Sequence, residues 1–148
     1  MGNVTIADYD CKRVIQTFGD ITPTMYHTGS RVTIAQSGDN FSFDQGMDGH
    51  GVRSKNHAVH AMLTFTLMSS DPANEQLSSL LRDDIEEEDG KGIVKYQVTD
   101  NNGTGKVTAQ HAWVTKVPDF RKNAAHEPVE WAVLLHGVDN QTGALKVK

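Results

Sequence analysis

Residues 58–81, AVHAMLTFTLMSSDPANEQLSSLL, carry the reading on which the rest of the fold depends. Val59, Ala61, Leu63, Phe65 and Leu67 alternate with His60, Met62, Thr64, Thr66 and Met68, and a period of two sends successive side chains to opposite faces of a strand. The pattern predicts a long, central strand over 58–68. It stops at Ser69-Ser70-Asp71-Pro72, where Asp71 is placed to cap a helix and Pro72 to fill the first helical position, whose N–H lacks an intrahelical partner in any case. A short helix over 72–81 should follow, with Ala73, Leu77, Leu80 and Leu81 on one buried stripe.

Around this unit the chain reads as strands and turns. An irregular arm over 1–12 precedes a strand at 13–18. A second strand at 31–36 sets Val32 and Ile34 against Thr33 and Ala35, and after the turn at 37–40 a third begins with Phe41-Ser42-Phe43. These first three strands are expected to form hairpins. Residues 45–56, QGMDGHGVRSKN, hold three glycines and little to bury, a long loop in an otherwise economical chain. It reads as a contact loop, with Gln45, Met47, Asp48, His50, Val52, Arg53 and Lys55 as contact residues, or as a loose hairpin tip. Beyond the helix, 82–92 carries Asp83, Asp84, Glu86, Glu87, Glu88 and Asp89, either a solvated loop or a docking surface for a basic partner. Strands follow at 93–99 and 106–115, paired across a turn at 100–103, and at 129–138, where Val129, Trp131, Val133 and Leu135 share a face. The tail, 139–148, has a weaker strand signal at 145–147.

At 148 residues the chain fits a single domain over 1–148, long enough to bury roughly two-thirds of its unfolded surface and to fold without a disulfide or a metal. Cys11 is the only cysteine, in keeping with a reducing cytoplasm. No secretory signal, membrane span or myristoylation pattern is expected. A net charge of −5 argues against a nucleic-acid-binding surface, which needs clustered Lys and Arg, while leaving DNA free to pass without sticking.

Seven histidines raise the question of a metal. His57 and His60 are three apart, a spacing that puts them on opposite faces of a strand, and no Cys, Asp or Glu nearby completes a tetrahedral set. Asp100, Asn102, Thr104 and Gly105 imitate the first half of a calcium loop, but His111 stands where the closing Glu belongs, and a hairpin turn accounts for the same residues. Nucleophile-elbow, P-loop and dinucleotide-binding patterns are missing from the sequence. Neither a catalytic residue nor a cofactor is assigned, and the chain is read as not an enzyme.

Several short motifs occur together in one order. They are Phe41-Ser42-Phe43-Asp44, Asp48-Gly49, Leu63-Thr64-Phe65-Thr66-Leu67, and Ser69-Ser70 with Asn74 and Leu77. Val98-Thr99-Asp100 with Gly103, Ala112-Trp113 with Lys116 and Pro118-Asp119, and Glu130-Trp131 complete the set. In this order, over 31–137, the sequence resembles the tail tube proteins of contractile-tailed bacteriophages, which are related to the tubes of contractile injection systems.

The resemblance implies a mainly β fold: a β-sandwich or barrel with one flanking α-helix and a long extended loop, of the ring-forming tail-tube type. It implies a structural virion protein, assembled in the host bacterial cytoplasm, whose hexameric rings stack into a tube for genome ejection. The implied partners are the chain itself, tail sheath, tape-measure, baseplate and tail terminator proteins, and DNA in passage, with no membrane insertion. On that reading the 45–56 loop stacks ring on ring, Thr33, Thr64 and Thr66 are lumen-wall candidates, and the acidic run faces the sheath. Six copies at −5 give a ring of about −30, which repels phosphate at short range. Two alternatives stand beside it: the inner tube of a pyocin-like or secretion machine, and a small β-sandwich module binding sugars or peptides on Trp113, Trp131 or Tyr96.

Overall fold

The alternation at the heart of the sequence forms strand β5, Ala61–Leu67, with Ala61, Leu63, Phe65 and Leu67 buried and Met62, Thr64 and Thr66 half-exposed on the other face. In this computed structural model, which describes residues 4–27 and 32–148, the other strands are β1 (Val14–Phe18), β2 (Thr33–Gln36), β3 (Phe41–Gln45), β4 (Gly51–Lys55), β6 (Val94–Asp100), β7 (Lys106–Val114) and β8 (Val129–Gln141). Six of them make one antiparallel sheet in the order β1-β6-β7-β8-β5-β2, and β3 and β4 make a separate two-stranded sheet. Residue 31, the expected start of the second strand, lies outside the described residues.

The six-stranded sheet curls into a half-barrel. Phe18 on β1 and Phe65 on β5 stand four strands apart, roughly 19 Å in a flat sheet. Their ring centroids are nevertheless 5.4 Å apart, and Phe18 also meets Tyr96 at 4.9 Å. The sheet must fold over its own inner face to bring them together. Cross-strand rungs line that face: Leu63 with Val133, Phe65 with Trp131, Ala112 with Leu135 and Phe18 with Tyr96.

Helix α1, Ala73–Glu86, lays Ala73, Leu77 and Leu81 onto this core, one residue every four on a single stripe. Leu80, expected on that stripe, is only half-buried. Asp71 organises the helix start: it is buried, its carboxylate accepts from the Ala73 N–H (2.9 Å), and it also accepts from the Thr24 and Met25 N–H groups (3.1 and 2.8 Å). One side chain thus serves as the helix cap and anchors the 21–27 segment. That segment in turn covers the end of β5, through His27 N–H to Thr66 O and Met68 N–H to Met25 O. Asn74 fastens the first turn to the sheet, donating to Met68 O (2.8 Å) and accepting from Trp131 Nε1 (2.9 Å).

Several expectations are corrected. The first three strands do not pair in sequence: β1 pairs with β6 and β2 with β5, and β3 alone forms a hairpin, with β4. Strand β5 is neither the central nor the longest strand. The middle of the sheet belongs to β7 and β8, and β8 spans 13 residues against seven for β5. Residues 58–60 precede β5, so the opposite-faces argument made for His57 and His60 does not apply to them. The helix runs five residues beyond 81 because nothing between 82 and 86 breaks it, so Asp83, Asp84 and Glu86 are helical.

The alternation along β8 also slips. Leu135 and Val138 both turn toward the core, as do Ala112 and Ala109 across from them on β7, with exposed residues between. Strand β6 spans the same interval in one residue fewer, Val94 to Tyr96, which makes a β-bulge, and Gly137 takes φ +69° at this point.

Candidate assembly surfaces

The contact residues expected at 45–56 fall on the β3–β4 hairpin, and the expected loop is itself mostly ordered: Gly51–Lys55 is strand and only the tip around residues 46–50 turns. Phe41 and Phe43 pair with Lys55 and Arg53 on one face, with the Arg53 guanidinium 4.3 Å from the centre of the Phe41 ring. The Phe43 ring lies over Gly51, in space that a Cβ would occupy. Asp44 and Val52 pair on the opposite face. Every residue from 35 to 58 is exposed, including Phe43 (67%), Val52 (66%) and the whole of Met47. Gln45, Asp48, His50, Arg53 and Lys55 are thus brought together on one projecting arm with no core of its own. Phe41 and Phe43, its largest apolar groups, were legible as strand residues and were not among the expected contact residues.

Thr33 and Thr64 are register partners, and Thr64 and Thr66 stand opposite Ala132 and Glu130, so the three threonines share the face turned away from the core. Thr66 sits partly beneath the 115–128 connection, in a groove lined also by Lys116, Arg121 and Glu130. Trp113 and Leu134 are paired and half-buried on this outer face, whereas Trp131 and Tyr96 are in the core. Of the three alternative platform residues, Trp131 and Tyr96 are closed off in the core, and Trp113 alone reaches the outer face, half-buried.

The acidic residues divide between the last turns of α1 (Asp83, Asp84, Glu86) and the segment after it (Glu87, Glu88, Asp89). Asp84 is half-buried against the Gly92 backbone, and Glu87 pairs with Lys91 at 3.3 Å. The last turn of α1 carries no basic residue, so the carboxylates stand at the negative end of the helix dipole with little compensation. Ile85 is exposed among them.

The two terminal segments meet at the β6–β7 turn. Buried Asn102 accepts from the Asp10 N–H (3.0 Å), donates to Asp10 O (2.8 Å) and accepts at its own carbonyl from the Lys146 N–H (3.1 Å). The Lys148 N–H donates to Ile6 O, and Ala7 bridges to Val147. The weak strand signal at 145–147 is real in this form, as single bridges to Gly103 and Ala7. Asp100, in the segment that only imitates a calcium loop, accepts from the Asn102 backbone and side chain (2.9 and 2.8 Å), the turn chemistry expected there.

A strongly displaced titration belongs to Tyr96. Burial, and then the neighbouring Tyr26, push its hydroxyl well above the ordinary tyrosine range. That hydroxyl donates to Gln16 Oε1 at 2.9 Å inside the core. Among the described residues no group of three or more His, Cys, Asp or Glu side chains is placed to share a metal ion, and no helix is long and apolar enough to cross a membrane.

Neither a scan against protein-family models nor a search of curated proteins finds a match. Solved structures do match. A chain in the cryo-EM structure of the anti-feeding prophage cap, the AFP tube-terminating cap, superposes with a TM-score of 0.57 at 12% identity, covering 96% of this chain and 96% of that one. A chain in the virion of the native gene transfer agent particle gives 0.59 at 12% identity, covering 91% of this chain and 100% of that one. Over nearly its whole length, the chain therefore has the fold of components of phage-tail-like particles.

Proposed function

We propose that the chain is a structural subunit of a phage-type tail tube, closing into hexameric rings that stack into a channel for genome ejection. The observation that carries this reading is the β3–β4 arm: an ordered hairpin with Phe41, Phe43, Met47 and Val52 in water is stable against aggregation only if another copy covers it. The six-stranded sheet also ends in β1 and β2, two edges that a neighbour can pair. In the assembled tube the arm stacks one ring on the next, Thr33, Thr64 and Thr66 face the lumen, and the acidic end of α1 meets a basic sheath surface. The tape measure, baseplate and terminator contact the same tube, and DNA passes an acidic wall without adhering.

Electron microscopy of concentrated, negatively stained protein tests the proposal. Rings and stacked tubes are expected, and compact monomers at every salt concentration would sink it. Phe43→Asp with Val52→Asp should leave a folded monomer that does not stack; normal tubes from that variant would remove the arm from the mechanism. A second reading is a tube-terminating ring, favoured by the likeness to the anti-feeding prophage cap. It predicts single rings that never elongate in the same micrographs.

A further inference from the structure

The fold brings together two histidines that the sequence keeps far apart. His111 on β7 and His136 on β8 are direct register partners, both exposed, with near-parallel rings (23° between planes) whose centroids are 6.0 Å apart. We propose that this pair is a binding site for a borderline first-row divalent cation, Zn²⁺, Ni²⁺ or Cu²⁺, that clips β7 to β8.

The chemistry follows from the donor set. Neutral imidazole suits these cations and not Mg²⁺ or Ca²⁺, which prefer oxygen. Two imidazoles bound to one ion at about 2.0–2.1 Å per nitrogen hold their ring centres roughly 5–6 Å apart, so the observed spacing needs little change beyond rotation about χ2 to turn a nitrogen of each ring inward. Exposed rings are free to make that rotation. The backbone is shaped at this point as well: the bulge leaves Gln110 and His111 of β7 both outward, opposite His136 and Gly137. Gly137 at φ +69° leaves room for the Gln110 side chain, whose Oε1 is 3.4 Å from where a Cβ on Gly137 would stand. The two imidazoles are the protein ligands, and water completes the shell. His60 immediately precedes Ala61, the partner of Leu135, yet no third histidine joins the pair closely enough to share the ion.

The site lies within one chain, so the dilute, unassembled protein carries the test. Equilibrium dialysis against ZnCl₂ or NiCl₂ should give one ion per chain. Affinity should fall at least tenfold in His111→Asn and in His136→Asn, and stay unchanged in His57→Asn and His60→Asn. At a concentration a hundred times the dissociation constant, Zn²⁺ should raise the melting temperature by roughly 5–10 °C, and Mg²⁺ should not. Circular dichroism of each variant without metal confirms that the exposed substitutions leave the fold intact. The proposal is overturned by stoichiometric binding that survives the double substitution, by loss of binding in the His57 or His60 variant instead, or by no binding at millimolar metal.

Discussion

The β5–β8 pair and the β3–β4 hairpin are both antiparallel ladders, β5 and β3 each carry apolar residues at alternating positions, and they end in opposite environments. On β5, Phe65 is 1% exposed, packed with Trp131 and Phe18; on β3, Phe43 is 67% exposed, with Arg53 across from it and its ring over Gly51. Alternation in sequence states that a strand has two faces. It does not state whether the apolar face is covered by the same chain. Where the chain supplies a helix and a curled sheet, the pattern becomes a core; where it does not, the same pattern is left as an exposed surface.

The sharpest test of that difference is a pair of matched truncations. Phe65→Ala should cost about 3–5 kcal/mol in urea unfolding of the monomer, the usual penalty for emptying a buried aromatic site. Phe43→Ala should fall within about 0.5 kcal/mol, as surface substitutions do. Comparable losses would mean that the hairpin is part of the monomer's cooperative unit, and the comparison would fail.

A middle-sized effect is expected inside the core, at a polar contact. Tyr96→Phe leaves Gln16 Oε1 without its donor, on a fully buried side chain whose Nε2 has no partner among the described residues, and should cost about 1–3 kcal/mol. Tyr96→Phe combined with Gln16→Met removes both polar partners and should recover most of the loss. The same hydroxyl gives a pH signature. Its folded pKa is raised above the unfolded value near 10, so the folded state holds the proton that the unfolded state releases. The stabilising contribution is complete below pH 10 and declines above it, by about 1.4 kcal/mol per pH unit. The decline above pH 10 should be shallower in Tyr96→Phe than in the wild type; parallel curves would show that the hydroxyl titrates as if exposed.

How much could be read in advance follows the same division. The strands at Val14–Phe18, Ala61–Leu67, Val94–Asp100 and Val129–Gln141, the helix start at Asp71-Pro72 and the buried faces were legible because each is set by local period or cap chemistry. Strand order was not: β1 finds β6 through Phe18 against Tyr96, a contact across most of the chain that no local pattern encodes. The acidic helix end was hidden because charge runs resemble loops, although Asp and Glu do not break a helix. Trp113 stands on the outer face, which alternation alone does not reveal, because the β7 bulge shifts the phase just before it. Of the candidate surfaces, the Gln45–Lys55 residues were nominated from composition, while the His111–His136 pair depends on a register that only the folded sheet supplies.

The smallest expected effect on folding is Gly51→Ala, and it bears directly on whether the hairpin is independent. A Cβ at Gly51 takes the space now filled by the outer edge of the Phe43 ring, so the ring must swing away. In a packed core such a displacement would drive neighbours off their rotamers and cost about 1–3 kcal/mol. Here the ring is mostly in water and turns with nothing behind it, so the monomer's unfolding midpoint should move by less than about 0.5 kcal/mol. The displaced ring nevertheless changes the surface that a second copy meets. Under the tube reading, the variant should stack less readily at a given protein concentration, measured by light scattering, while its urea midpoint is unchanged. A shifted midpoint with unchanged stacking would reverse the roles of the two regions, making the hairpin a structural element of the monomer and leaving the assembly contact to be found elsewhere on the half-barrel.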